Sequence, residues 1–249
     1  MNMFLEDNFY INGRIYCEVF IPQKDCPLII YAHSLGMSHK SGYEYFKDLL
    51  ELGFGCLTFD FCGGGYSSKS KGQTTEMSLI SEAKDIMDVV EHVRKWDFID
   101  KDRIVLLGTS QGGAASALAA GKIPDEIAGL MLLYPALLIP DVAHEYSSTS
   151  EIPETQMFNG WIRLGKCYFE DVWDLDIFRE IKKYKKEVLI VHGTSDWIVP
   201  YEYSVKADEA YENSRLMLID GGGHGFSGKK FRQCMTYIAE YLDKILKRG

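Results

Sequence analysis

Apolar and polar positions along the chain alternate in two rhythms, and the switches between them predict the elements. NFYINGRIYCEVF (8–20) has two alternating stretches around Asn12-Gly13, a dipeptide that favours the left-handed conformations of a tight hairpin turn. PLIIYAHS (27–34), FGCLTFDF (54–61), RIVLLG (103–108), IAGLMLLY (127–134), EVLIVHG (187–193) and RLMLID (215–220) are short, nearly unbroken apolar runs. Between them lie stretches with helical spacing: 41–53 ending at Gly53, 78–96, one starting near Gln111, 202–212, and 228 to Lys247. Strands that are apolar at every position are covered on both faces, so the expectation is an α/β domain: a mostly parallel sheet with helices on both sides, edged by the N-terminal hairpin. Residues 136–180 break the rhythm with prolines, serines, acids and aromatics, and read as an insertion in a single domain spanning 1–249.

Composition narrows the partners. At 249 residues, 46% hydrophobic, the chain has the material for a full core. Its net charge of −9, with basic residues scattered rather than striped, repels a phosphate backbone and argues against nucleic acid. The first twenty residues lack the basic-then-apolar pattern of a signal peptide, which gives a cytoplasmic expectation. The apolar run 127–140 is too short for a bilayer and holds a proline, so no membrane partner is expected. Six cysteines without a C-x-x-C pair read as free, mostly buried thiols.

The chemistry concentrates at VLLGTSQGGAASALAA (105–120), where Ser110 sits between Gly108 and Gly112 as a strand gives way to a helix. A turn tight enough to lift the hydroxyl above the sheet leaves no room for side chains at those two positions, and it aims a helix N-terminus at whatever the serine attacks. Gly-Thr-Ser-Gln-Gly also fits an ordinary turn and helix cap, so partners are needed. A serine nucleophile requires a base, and the base requires a third group to fix its tautomer. Asp196 follows the strand EVLIVHG and His224 follows RLMLID, so all three meet at the C-terminal edge of one parallel sheet. The amides of Gln111 and of Leu35, in AHSLG, are the candidate oxyanion donors. Competing readings are weaker: His192 packs in its turn, Asp220 forms a turn, and His39, His92 and His144 take solvated or capping roles. A metal cluster of Asp141, His144 and Glu145 lacks a second ligand set.

These segments resemble the α/β-hydrolases, and more narrowly the small bacterial cinnamoyl and feruloyl esterases. AHSLG stands where that family has His-Gly-x-x-Gly, FDFCGGGYSS where it has Asp-x-x-Gly-x-Gly-x-Ser, and GTSQGG, PALLIPDVA, VLIVHGTSDWIVP and GGGHGF at the elbow, lid entry, acid and base. Ser34, Thr109 and Gly64 depart from the usual glycine, histidine and histidine. The resemblance implies an α/β-hydrolase fold with a small lid at 136–180 and a cofactor-independent, metal-free serine esterase acting on a small-molecule ester. It also implies aromatics lining the lid, with Asp141 accepting a hydrogen bond from a phenolic hydroxyl and Trp161 among the wall residues. A serine peptidase of the aminopeptidase or prolyl-oligopeptidase type and a non-catalytic binding protein are the alternatives, and a homodimer is left open.

Overall fold

The computed structural model describes residues 3–246, so the end of the expected C-terminal helix at Lys247 lies outside the described residues. Strands β1 (Leu5–Ile11) and β2 (Ile15–Ile21) form the expected hairpin. Its turn uses Asn12 at φ 50° and Gly13 at φ 64°, with Arg14 N–H donating to Ile11 O at 3.0 Å. There follow β3 (Cys26–Ala32), α1 (Tyr43–Glu51), β4 (Gly55–Phe59), α2 (Leu79–Val93), β5 (Ile99–Thr109), α3 (Ser110–Lys122) and β6 (Gly129–Leu133). Helix α2 begins where the sequence suggests because Ser78 and Ser81 cap reciprocally, each side chain bonding the other's backbone N–H. After the interrupted region come β9 (Val188–Gly193), α7 (Glu202–Ala210), β10 (Ser214–Ile219) and α8 (Gly228–Leu246).

The eight-stranded sheet has the order β1-β2-β4-β3-β5-β6-β9-β10, parallel from β4 onward and antiparallel at the hairpin edge. Each central strand feeds two cores by simple alternation. In β3, Leu28, Ile30 and Ala32 face the side covered by α2, α3 and α7, while Ile29 and Tyr31 face α1 and α8. This two-sided burial explains the unbroken apolar runs.

The interrupted region is more ordered than its sequence suggests. It holds three short helices, α4 (Ile139–Ala143), α5 (Cys167–Glu170) and α6 (Ile177–Ile181), and a separate antiparallel pair, β7 (Thr155–Phe158) with β8 (Ile162–Gly165). The hairpin turns at Asn159 and Gly160, both left-handed at φ 48° and 75°. The segment packs Ile162, Leu164, Tyr168 and Phe169 into the same core as α2 and α3. Ala136, Leu138, Ile139, Val142 and Phe158 line a cavity with Ser110, which follows the C-terminal end of β5, so the segment covers that edge of the sheet.

Candidate active site

Ser110 occupies the junction of β5 and α3 with φ 51°, a left-handed backbone that a serine adopts only when its surroundings enforce it. The enforcement is visible in the flanking glycines. A Cβ on Gly112 would lie 2.4 Å from the carbonyl oxygens of Ala32 and His33, and one on Gly108 would lie 2.4 Å from Gly112 O. Ala136 N–H donates to Ser110 O at 2.9 Å, tying the start of the covering segment to the same turn. Because the obstacles are backbone atoms, Gly112→Ala is expected to destabilise the protein by about 3 kcal/mol, the upper range for overpacking a closed site. A urea-unfolding midpoint unchanged from the parent would contradict this account of the turn.

Three side chains, one at a strand–helix junction and two on loops, then form one hydrogen-bonded chain. Ser110 Oγ lies 2.9 Å from His224 Nε2, and His224 Nδ1 lies 2.7 Å from Asp196 Oδ2. The partners assign the roles: the carboxylate takes the Nδ1 proton, leaving Nε2 to accept from the serine. Tyr134 meets the His224 ring edge-on with centroids 4.9 Å apart, and Phe226 packs in turn on Tyr134. The Asp196 carboxylate is wholly enclosed and fully satisfied. Its Oδ1 accepts from Ile198 N–H at 2.9 Å and Val199 N–H at 3.0 Å, while His192 Nε2 lies 3.1 Å from Oδ2. Burial alone would raise its carboxyl, but the hydrogen bonds from His192, His224 and Val199 outweigh it and hold the group well below the usual carboxylate range.

His192 has a different task. It is fully buried, does not hydrogen-bond Ser110, and bridges Asp196 Oδ2, Val199 O at 3.0 Å and Ser204 Oγ at 2.6 Å. It belongs to strand β9 rather than to the turn expected from the sequence, and its side chain clamps the following loop that presents Asp196. The spacing of His192 four residues before the acid was the available signal.

Leu35, Ser110 and Gln111 line one cavity of about 260 Å³. Leu35 N–H donates to no described residue, and Gln111 N–H lies in the first turn of α3, where no intrahelical carbonyl is within reach. The loop carrying Leu35 is braced from below. Gly36 N–H donates to Gly64 O at 2.9 Å, and the buried His33 accepts from Phe61 N–H at 3.1 Å. Two of the departures from the family pattern meet here, since Ser34 Oγ lies 3.0 Å from Thr109 Oγ1 and joins the two strand exits. At Gly64 a Cβ would stand 2.7 Å from Phe61 Cβ and 3.1 Å from the His33 ring, so the histidine usual in the family has no room.

Leu138, Ile139, Val142 and Phe158 of the covering segment and Ile198 and Val199 of the acid loop supply the apolar walls. Asp141 is not among them: it is exposed, and its Oδ2 accepts from Tyr203 Oη. The acidic residue that does border the cavity is Glu145, in the turn just after α4 and itself exposed. Trp161 also stands outside, about half exposed, with its ring over the bare Cα of Gly36. The expected solvated or capping role fails for His39, which is buried with Nδ1 2.8 Å from Asp60 Oδ1. His92 is partly buried and stacks on Phe9, whereas His144 bonds Trp173 O at 2.9 Å. Among the described residues, no cluster of three or more His, Cys, Asp or Glu side chains gathers as a metal site, and no helix is long and apolar enough to cross a membrane. All six cysteines are free, four of them buried.

Comparison with known proteins agrees with this architecture. The chain is similar over 97% of its length to the structure of ferulic acid bound to Est1E from Butyrivibrio proteoclasticus, with 27% identity, 99% of that chain covered and a TM-score of 0.86. It is 26% identical to the uncharacterized protein YfhR of Salmonella typhimurium, over 97% of this chain and 78% of that one. It is also 22% identical to the proline iminopeptidase PfmaB of Pestalotiopsis fici, over 94% and 98%. Residues 159–245 match the model of TAP-like proteins. Residues 27–163, more than half of the chain, match the model described as alpha/beta hydrolase fold, and the chain belongs to that family.

Proposed function

We propose that the protein is a cofactor-independent serine carboxylesterase, with hydroxycinnamate esters as its favoured substrates. The observation that carries this reading is the unbroken chain Ser110–His224–Asp196, whose serine lines a largely apolar-walled cavity. His224 takes the serine proton as Oγ attacks the ester carbonyl, and Asp196 holds the imidazolium that forms. The N–H groups of Gln111 and Leu35 receive the oxyanion. His224 then protonates the leaving alcohol and activates the water that releases the acid. The segment 136–180 acts as the lid that shapes the acyl pocket.

The similarity to Est1E supports a phenylpropenoyl acyl group, because ferulic acid is the molecule bound to that protein. In this chain the phenol-accepting role passes from Asp141 to Glu145. Methyl ferulate is compared with p-nitrophenyl butyrate for the wild type and Ser110→Ala. A higher kcat/KM on ferulate with a dead variant supports the reading, and cleavage of butyrate alone removes the hydroxycinnamate assignment. Glu145→Leu is expected to lower kcat/KM on methyl 4-hydroxycinnamate about tenfold while sparing methyl cinnamate, the loss of about one hydrogen bond. Equal losses on the two esters would take Glu145 out of substrate recognition.

A second reading has support of its own. A carboxylate in the cavity also suits a free amine, and one relative is a proline iminopeptidase. Turnover of proline p-nitroanilide exceeding that of both esters would favour a serine peptidase. Failure to react with a fluorophosphonate would instead favour a non-catalytic binding protein.

A further inference from the structure

Behind the cavity floor runs a second buried polar chain that the proposed reaction leaves idle. The side chain of Gln111 turns inward and is almost wholly enclosed. Its Oε1 accepts from Tyr168 Oη at 2.7 Å, so its amide protons face Met77 Sδ at 3.6 Å and the carboxyl group of Glu82. Glu82 belongs to α2, is 1% exposed, and its Oε2 has no hydrogen-bond partner among the described residues. Tyr168 belongs to α5 and lines the cavity. Two helices, α2 and α5, thus converge on one glutamine side chain of α3, and the backbone N–H of that residue is the proposed oxyanion donor.

No cation among the described residues answers Glu82. The charged group next to it on α2 is Asp85, which engages Arg14 Nη1 at 2.6 Å and Cys62 N–H at 2.8 Å. Arg14 is shared between Asp85 and Asp88, and Tyr168 brings a neutral phenol from α5. Burial, reinforced by Asp85 and only partly offset by the Gln111 hydrogen bond, pushes the Glu82 carboxyl up to about 8. An acid so enclosed is neutral near pH 7.

We propose that Glu82 is a positioning residue: as a neutral acid it fixes the Gln111 side chain, and with it the aim of the Gln111 N–H at the substrate oxygen, while Tyr168 ties that aim to the covering segment. The proposal rests on the serine-hydrolase reading. Ionising Glu82 sets a buried negative charge beside the residue that must receive a developing oxyanion, which opposes the reaction. Replacing the acid by glutamine keeps the hydrogen bond and removes the charge.

The experiment follows kcat and KM on p-nitrophenyl butyrate from pH 6 to 10, with the rate of fluorophosphonate labelling, for the wild type, Glu82→Gln, Glu82→Leu and Tyr168→Phe. The wild type is expected to lose kcat and labelling rate above about pH 8, and Glu82→Gln to keep neutral-pH kcat within about threefold and lose that alkaline limb. Glu82→Leu and Tyr168→Phe are expected to lower kcat by about tenfold at most with little change in KM, less than the loss from deleting an oxyanion donor outright. The same alkaline limb in Glu82→Gln as in the wild type overturns the proposal. A wild type that neither turns over ester nor labels overturns the serine-hydrolase reading and this inference with it.

Discussion

Ser110→Ala is expected to lower kcat by about 10⁴ to 10⁶ while leaving KM close to that of the wild type. The substitution removes one atom of the machinery and little else. Alanine retains the Cβ, so the backbone strain at φ 51° and the close approach of Gly112 to Ala32 and His33 are the same in both proteins. His224 stays held by Asp196, and Leu35 and Gln111, whose amides are the proposed oxyanion donors, still line the cavity. Substrate binding, which depends on the walls, should survive. The residual rate over water is then what the oxyanion donors and cavity supply alone, about 10³ to 10⁴ in other triads. Steady-state kinetics with circular dichroism on both proteins checks this. Wild-type turnover by a folded Ser110→Ala would remove Ser110 from the mechanism.

The parts of this site legible in the sequence are those for which local geometry admits few residues. A strand-to-helix turn that excludes side chains at two flanking positions demands Gly108 and Gly112. Strands such as β3 and β9, buried on both faces, must be apolar at nearly every position, His192 being the bonded exception, and the C-terminal ends of β9 and β10 then fix where Asp196 and His224 emerge. The covering segment obeys no such rule. Strands β7 and β8 are four residues each, too short for alternation to register, although Asn159-Gly160 is the same turn signal that revealed β1 and β2. Helix α4 has five residues, so its sequence does not determine which face meets the cavity. Asp141 on it accepts from Tyr203 outside the cavity, while Glu145, two residues past its end, borders the cavity. The buried His39 depends on Asp60, far along the chain, and Glu82 on Gln111 and Tyr168. Long-range pairs of this kind leave no periodic trace.

Asp196→Asn is expected to lower kcat by about 10⁴, even though the side chain keeps its size. Every contact to this carboxylate is a donor: Ile198 and Val199 N–H on Oδ1, His224 and His192 on Oδ2. Asparagine has a single oxygen, so its amide NH₂ must face two of them. Turned toward Ile198 and Val199, it opposes backbone N–H groups of the loop itself. Turned toward the histidines, it meets two ring N–H groups, and His224 escapes by moving its proton to Nε2. In that tautomer Nε2 cannot accept the Ser110 proton, and the serine loses its base. The same hydrogen bonds govern stability. Because folding depresses the Asp196 pKa, its contribution is present above the ordinary value near 3.8 and is lost as pH falls through the folded value. The Asn variant should therefore be the less stable protein at pH 7, with a gap that narrows as pH falls below about 4. Urea unfolding at pH 7, 4 and 3 beside ester kinetics measures both effects. Activity within tenfold of the wild type would mean that His224 is oriented by something other than Asp196.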